Sequence, residues 1–218
     1  MKWSELPAPW QICWEQAWEA CRRGSLPIGA AITDARGEIV ASGRNHINDG
    51  EPGPGQRVTG SQLAHAELNA LLNIPVGLDP YTMMIYSLIE PCPLCMGAIY
   101  MSGVRSLEYA GADPYAGSTN LLRKTWYLAR KPVRAVQTSI SNLAAAAEIL
   151  HTTALWMRFP EGSHIVETMA WTANPRVEKP ARYLIETNTL AIMRAADRGA
   201  VEVFDQIVDL LEGMDHDG

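Results

Sequence analysis

The chain has 218 residues, 18 basic and 24 acidic, for a net charge of −6 and a pI near 5.4. That length allows one sizeable core, or a core domain with an appendage. The acidic balance argues against a broad phosphate-binding surface. Four cysteines do not make a disulfide framework, which suits a reducing cytosol. The opening MKWSELPAPW lacks the basic stretch and apolar run of a signal peptide. No apolar segment approaches the ~20 residues needed to span a bilayer, so a cytoplasmic protein without a membrane partner is expected.

Taken in order, Trp10, Cys13, Trp14, Ala17, Trp18 and Cys21 fall on one face of a helix, and Gly24 supplies its stop. This spacing makes the three tryptophans core packing rather than a ligand-stacking surface. Cys13 and Cys21 then read as buried thiols. Two strands come next, at residues 28–33 and 38–42, flanking the hairpin turn Asp34-Ala35-Arg36-Gly37. Asn45 lies just after the second strand, where an asparagine is by itself a common turn residue. The stretch DGEPGPGQRVTGSQ has no periodicity, and the loop at 49–60 is as readily a surface connection as a lid.

The middle of the chain is organised by two short motifs: His65-Ala66-Glu67 in SQLAHAELNALLN and Pro91-Cys92-Pro93-Leu94-Cys95 in SLIEPCPLCMGAIYMSGV. Together they offer one imidazole, two thiols and one carboxylate, separated by the apolar strand YTMMIYSLI. A catalytic zinc needs three protein ligands and an open fourth position, and Cys2His is an attested set. With neutral His65 and thiolates from Cys92 and Cys95, the pKa of a bound water falls from ~15.7 towards ~7. Glu67 is then placed to take its proton. Residues two apart on a helix point roughly 200° away from each other. His65 and Glu67 therefore serve one metal only if their helix meets it end-on, by its first turn. Cys92 and Cys95, three apart, share a face at the start of a second helix, where the dipole favours thiolate.

Each half has a plainer reading. HAE alone on a helix is usually nothing, C-x-x-C after a strand can be a redox pair, and a structural zinc would need a fourth protein ligand. The ordered pair is the H-x-E…P-C-x-x-C pattern of zinc deaminases. PIGAAI, the GRN ending at Asn45, HAE, and EPCPLCMGAIYMSGVRSLEYAGADPYAG together resemble the cytidine deaminase-like superfamily, in its guanine deaminase and tRNA adenosine deaminase branch. The resemblance covers about residues 10–120. It implies an α/β fold, a three-layer α/β/α sandwich on a mixed five-stranded sheet, assembled as a homodimer or larger. It also implies zinc on His65, Cys92 and Cys95, with proton shuttling by Glu67. Substrate contacts are implied for Asn45, the backbone N–H of Ala66 and, less directly, Asp113, whose Ala-Asp-Pro setting is also an ordinary turn opening.

Beyond Gly117 the match fades. LLRKTWYLARKPVRAVQ carries Arg123, Lys124, Arg130, Lys131 and Arg134 around Trp126 and Tyr127. A nucleic-acid patch is one reading; a solvated helix face leading into a strand at 133–140 fits the acidic whole better. A long Ala-rich helix is expected from Ser141 as N-cap, then a connector at 160–180 and helices at about 181–198 and 201–212. Residues 1–160 are thus expected to form the deaminase domain and 161–218 a C-terminal helical extension. The implied activity is hydrolytic deamination of a small heterocycle, foremost a purine base such as guanine. Its rivals are tRNA adenosine deamination, disfavoured by net charge, cytosine or nucleoside deamination, and a zinc-stabilised interaction module that would have no need of Glu67.

Overall fold

The computed structural model describes residues 1–50, 57–131, 133–172 and 175–216, so half of the expected loop at 49–60 lies outside the described residues. Five strands form one mixed sheet: β1 (Gly29–Thr33), β2 (Ile39–Arg44), β3 (Met84–Ile89), β4 (Ser106–Gly111) and β5 (Arg134–Gln137), in the order β2-β1-β3-β4-β5. β1 is antiparallel to both β2 and β3, whereas β3, β4 and β5 run parallel. The β1–β2 hairpin closes as expected. Asp34 Oδ1 accepts from the N–H groups of Arg36 and Glu38, and Gly37 takes φ +82°, a conformation that glycine adopts without steric cost.

The sheet is covered on both faces, so its strands alternate between two apolar layers instead of between core and water. Ala31, Leu88 and Ala110 face α1 (Ala8–Arg22) and α5 (Ser141–Arg158). Ala30, Ile32, Ile85 and Leu107 face α2 (Ala66–Leu72) and α3 (Pro93–Ser102). This is the expected three-layer α/β/α arrangement. Two glycines set how closely the helices lie. A Cβ at Gly29 would stand 2.1 Å from the Cys13 carbonyl of α1, and one at Gly43 2.4 Å from the Ala70 nitrogen of α2.

Several expectations need adjustment. The basic segment forms a 3-10 turn (Thr119–Arg123) and the short α4 (Trp126–Ala129), and the strand expected at 133–140 is only Arg134–Gln137. Ile140, not Ser141, occupies the cap of α5; Ser141 is its first helical residue. The expected connector at 160–180 is helical, in α6 (His164–Thr172) and α7 (Pro175–Glu186). Pro180 sits inside α7, but Val177, Ala181 and Leu184 share one buried face, so burial against α5 outweighs the lost hydrogen bond. The helix expected at 181–198 is broken where Asn188 takes φ 55°, and α8 (Thr189–Ala195) restarts it.

The last helix, α9 (Ala200–His216), lies on α1 and α5. Val177, Leu184, Leu190, Phe204, Ile207 and Leu211 join the same apolar cluster as Trp10 and Trp14, so that cluster runs across residue 160 without a break. The indoles of Trp14 and Trp18 donate to the carbonyls of Ala200 (3.1 Å) and Arg198 (2.7 Å). The three tryptophans are core residues, as their spacing required.

Candidate metal centre and active site

β3 delivers one motif and the chain leaving β2 the other. His65 caps α2 in extended backbone (φ −80°, ψ 154°), and Cys92 caps α3 (φ −70°, ψ 174°) with Pro93 in its first turn. Both helices therefore point their N-termini at one place, the end-on approach that the His-x-Glu spacing demands. His65 Nδ1 lies 3.5 Å from Cys92 Sγ and 3.4 Å from Cys95 Sγ, and the two sulfurs are 3.7 Å apart. These three residues are the one His/Cys/Asp/Glu group among the described residues that could hold a metal ion. Zinc bonds of ~2.3 Å to sulfur and ~2.0–2.1 Å to nitrogen, at tetrahedral angles, separate the donors by about 3.6–3.8 Å. The trio is within about 0.2 Å of that spacing, so the donor set fits zinc.

Without a metal ion the trio shares its protons unevenly, and only Cys92 is held in its ligating, thiolate form. The hydrogen bond between the two sulfurs holds the Cys92 thiol down to about 4, against burial and with help from His65. The same bond and burial push the Cys95 thiol well up. Hydrogen bonding to Cys92 raises His65.

Glu67 stands beside the trio, fully buried, with Oε2 3.1 Å from Cys95 Sγ and Oε1 3.0 Å from the Ser87 hydroxyl. Burial raises its pKa. Ser87 Oγ also lies 2.7 Å from the Ile89 carbonyl. Its single proton can go to a Glu67 carboxylate, or to Ile89 while Oγ accepts from a Glu67 carboxylic acid. Either protonation state of Glu67 is satisfied without movement.

Asn45 is completely buried, with Oδ1 accepting from the Ile47 N–H at 3.1 Å and Nδ2 without a partner in the described protein. An unpaired buried donor costs ~1–3 kcal/mol, so this amide is available to a ligand acceptor. Ala66 is the first residue of α2, where N–H groups lack intrahelical partners. Asp113 is engaged differently: Oδ1 accepts from the N–H groups of Tyr115 and Ala116, both at 3.0 Å, which is the turn role.

The sequence reading missed the support beneath Asn45. Arg44 Nη2 donates to Asp49 Oδ2 at 2.5 Å, with the two side chains 4% and 3% exposed. Ser25 Oγ donates to Asp49 Oδ1 at 2.9 Å, and Arg44 Nη1 to the Asn45 carbonyl at 3.1 Å. Behind them the buried Asn69 amide accepts from the N–H groups of Arg57 and Val58 and donates to the Arg44 carbonyl. An Arg and an Asp five residues apart in GRNHIND carry no signal that separates them from an exposed pair.

Residues 7–110 match the family model described as the cytidine and deoxycytidylate deaminase zinc-binding region. Half of the chain is 35% identical, over 119 residues, to a tRNA(Ile)-lysidine synthase of Deinococcus radiodurans, covering 19% of that protein. A Bacillus subtilis tRNA-specific adenosine deaminase is 31% identical over 111 residues, covering 50% of this chain and 63% of the relative. A guanine deaminase from the same species is 32% identical over 87 residues, covering 38% and 49%. The chain thus spans less than two thirds of the length of these relatives. A solved structure titled for A-to-I editing by tRNA:A34 deaminases superposes on 63% of this chain and 96% of its own, with a TM-score of 0.51 at 21% identity. That likeness shows the shared fold.

Proposed function

We propose that the chain is a zinc-dependent aminohydrolase acting on a small amino-substituted heterocycle, a purine base such as guanine first. The observation that carries this reading is Glu67, a buried carboxylate 3.1 Å from one thiol of a His-Cys-Cys donor set. A purely structural zinc would have no use for it. Zinc, held by His65 Nδ1, Cys92 Sγ and Cys95 Sγ, would supply a water acidic enough to act as nucleophile at neutral pH.

The chain's own residues do the rest. Glu67 takes the proton from that water, and burial keeps the resulting acid from losing it to solvent. It gives that proton to a ring nitrogen and then carries a second one, from the hydroxyl newly bonded to the ring carbon, to the departing amine. Ser87 follows Glu67 through both states by switching between donor and acceptor. Asn45 Nδ2 donates to a ring acceptor and the Ala66 N–H to an exocyclic oxygen, which orients the amine-bearing carbon towards the metal. The acidic net charge supports an uncharged base over a polyanion, and similarity to a guanine deaminase supports a purine. Similarity to a tRNA-specific adenosine deaminase favours adenosine in tRNA as the second reading.

Ammonia release from free purines, pyrimidines, their nucleosides and a tRNA stem-loop decides between them. The proposal expects guanine to give the highest kcat/KM. A preference for the stem-loop would overturn the small-molecule reading, and no release from any of them would overturn the enzyme reading.

A further inference from the structure

A small cavity of about 170 Å³ opens where the end of α1, the last turns of α5 and the helix α8 meet. At ~30 Å³ per water in the liquid, that is the volume of roughly six waters. It is too small for a drug-sized ligand, whose sites run to ~300–1,000 Å³. Arg158 and Arg194 line it beside Ser25, and Leu26, Met157 and Leu190 supply an apolar wall.

Neither arginine has a carboxylate partner among the described residues. Arg194 is the harder one to explain. Its Nε–H is buried and has no acceptor, although a buried donor on a charged group is costly to leave unpaired. An arginine in the last turn of a helix can simply complement the helix dipole. That role needs only an exposed charge and gives no reason to bury Nε. Arg194 also stands by the end of α1, where a Cβ on Gly24 would meet its Nη2 at 3.8 Å. There, however, the carbonyls of Ala20 and Cys21 accept from the Ser25 and Gly24 N–H groups. The guanidinium is held at the cavity with donors to spare.

We propose that this cavity binds a small organic dicarboxylate. The fork of a guanidinium matches a carboxylate through two parallel hydrogen bonds, and two arginines balance two negative charges. The apolar wall favours a ligand with methylene groups to bury over inorganic phosphate or sulfate, which have none. Both arginines lie beyond residue 110, outside the segment that matches the deaminase family model. The cavity nevertheless shares a wall with the turn that carries Asn45. Arg158 Nη2 donates to Asn48 Oδ1 at 3.2 Å, Asn48 Nδ2 donates to the Gly24 carbonyl at 2.7 Å, and Ser25 Oγ accepts from the Asn48 N–H at 3.1 Å. The proposal goes beyond the deaminase reading and stands independently of it, because its readout is binding.

The test is isothermal titration calorimetry of the full chain with succinate, in about 0.1 M chloride. The expected result is one site per chain with a Kd of ~1 mM or tighter. A ten-fold excess over that Kd should raise the melting temperature by about 3–6 °C. Butyrate, which keeps the carbon chain and one carboxylate, should bind at least about ten-fold more weakly, the worth of a hydrogen bond to a charged group. Arg194→Gln and Arg158→Gln should each weaken succinate binding by at least about ten-fold. The second changes an exposed side chain, so the test survives if the first variant does not fold. Because Arg194→Gln removes an unpaired buried charge, its ligand-free melting temperature should hold or rise; a fall would mark the arginine as structural and count against the proposal. Three results overturn it: no succinate binding tighter than about 1 mM, butyrate or inorganic phosphate binding as tightly as succinate (an adventitious ion only), or folded variants that bind as well as the parent.

Discussion

Replacing Asp49 with alanine tests whether a buried charge pair holds the turn that carries Asn45. The two side chains are almost wholly enclosed and 2.5 Å apart. Removing the carboxylate leaves the Arg44 guanidinium buried without its counter-charge, which costs ~3–5 kcal/mol. Against a total stability of ~5–15 kcal/mol this is a large fraction. For a chain of this size each kcal/mol shifts the melting temperature by ~2–4 °C, so a fall of roughly 6–20 °C is expected. The pH dependence has a definite sign. Burial alone would raise Asp49, but the Arg44 and Ser25 hydrogen bonds outweigh it and hold the carboxyl below 3.8. Its contribution is therefore present above about pH 4 and disappears as the pH falls through the lower folded-state value. Urea denaturation of parent and Asp49→Ala from pH 7 to pH 3 measures both effects, and the two curves should converge only at the acid end. Ammonia release well below both melting temperatures should also fall, because Asn45 loses its fixed position. A loss of stability under ~1 kcal/mol, the value of an exposed pair, would refute the reasoning.

Four other outcomes are expected. Glu67→Ala keeps its zinc but loses at least ~10²-fold in turnover; full activity at normal metal content would mean another group moves the proton. Cys92→Ala, checked by metal analysis, should lose zinc, and a variant retaining it would remove the ligand assignment. Asn45→Ala should lower kcat/KM about ten-fold, the worth of one good hydrogen bond, without altering metal content; no change in either kinetic constant would leave Asn45 as a turn residue. Truncation after Pro160 removes Val177, Leu184, Phe204, Ile207, Val208 and Leu211, none more than 1% exposed. At ~1.5–3 kcal/mol each, their loss is comparable with the entire stability of a domain. The fragment should therefore be insoluble or molten by near-UV circular dichroism, and a cooperatively folded one would show that the tail is dispensable.

How much the sequence could disclose depends on how far apart the interacting residues lie. The face of α1 repeats with the helical period, and each ligand set is local, so His65, Cys92 and Cys95 were legible before their distances were known. The three-layer order came with the family resemblance, not from periodicity, and β4 had no distinct pattern of its own. α7 was hidden because it holds Pro175 and Pro180, poor helix formers, whereas burial on α5 makes the helix worth forming. The Arg44–Asp49 pair was invisible for a different reason. Exposure, not residue type, distinguishes a structural ion pair from a trivial one, and exposure is decided by segments remote in the chain. Asp113 shows the converse, since a motif position placed it near the substrate while its hydrogen bonds serve a turn.

The bonds from Trp14 and Trp18 to the start of α9 span 186 and 180 residues of chain. Trp14 also meets Phe204 edge to face, with ring centroids 5.0 Å apart. Synthesis at ~5–20 residues per second therefore leaves this side of α1 waiting roughly 9–37 s for its cover. Throughout that interval the nascent chain displays indole edges that nothing upstream can bury. Slower translation prolongs the exposure, so the yield of folded protein responds to codon speed and chaperone supply even between variants of equal equilibrium stability.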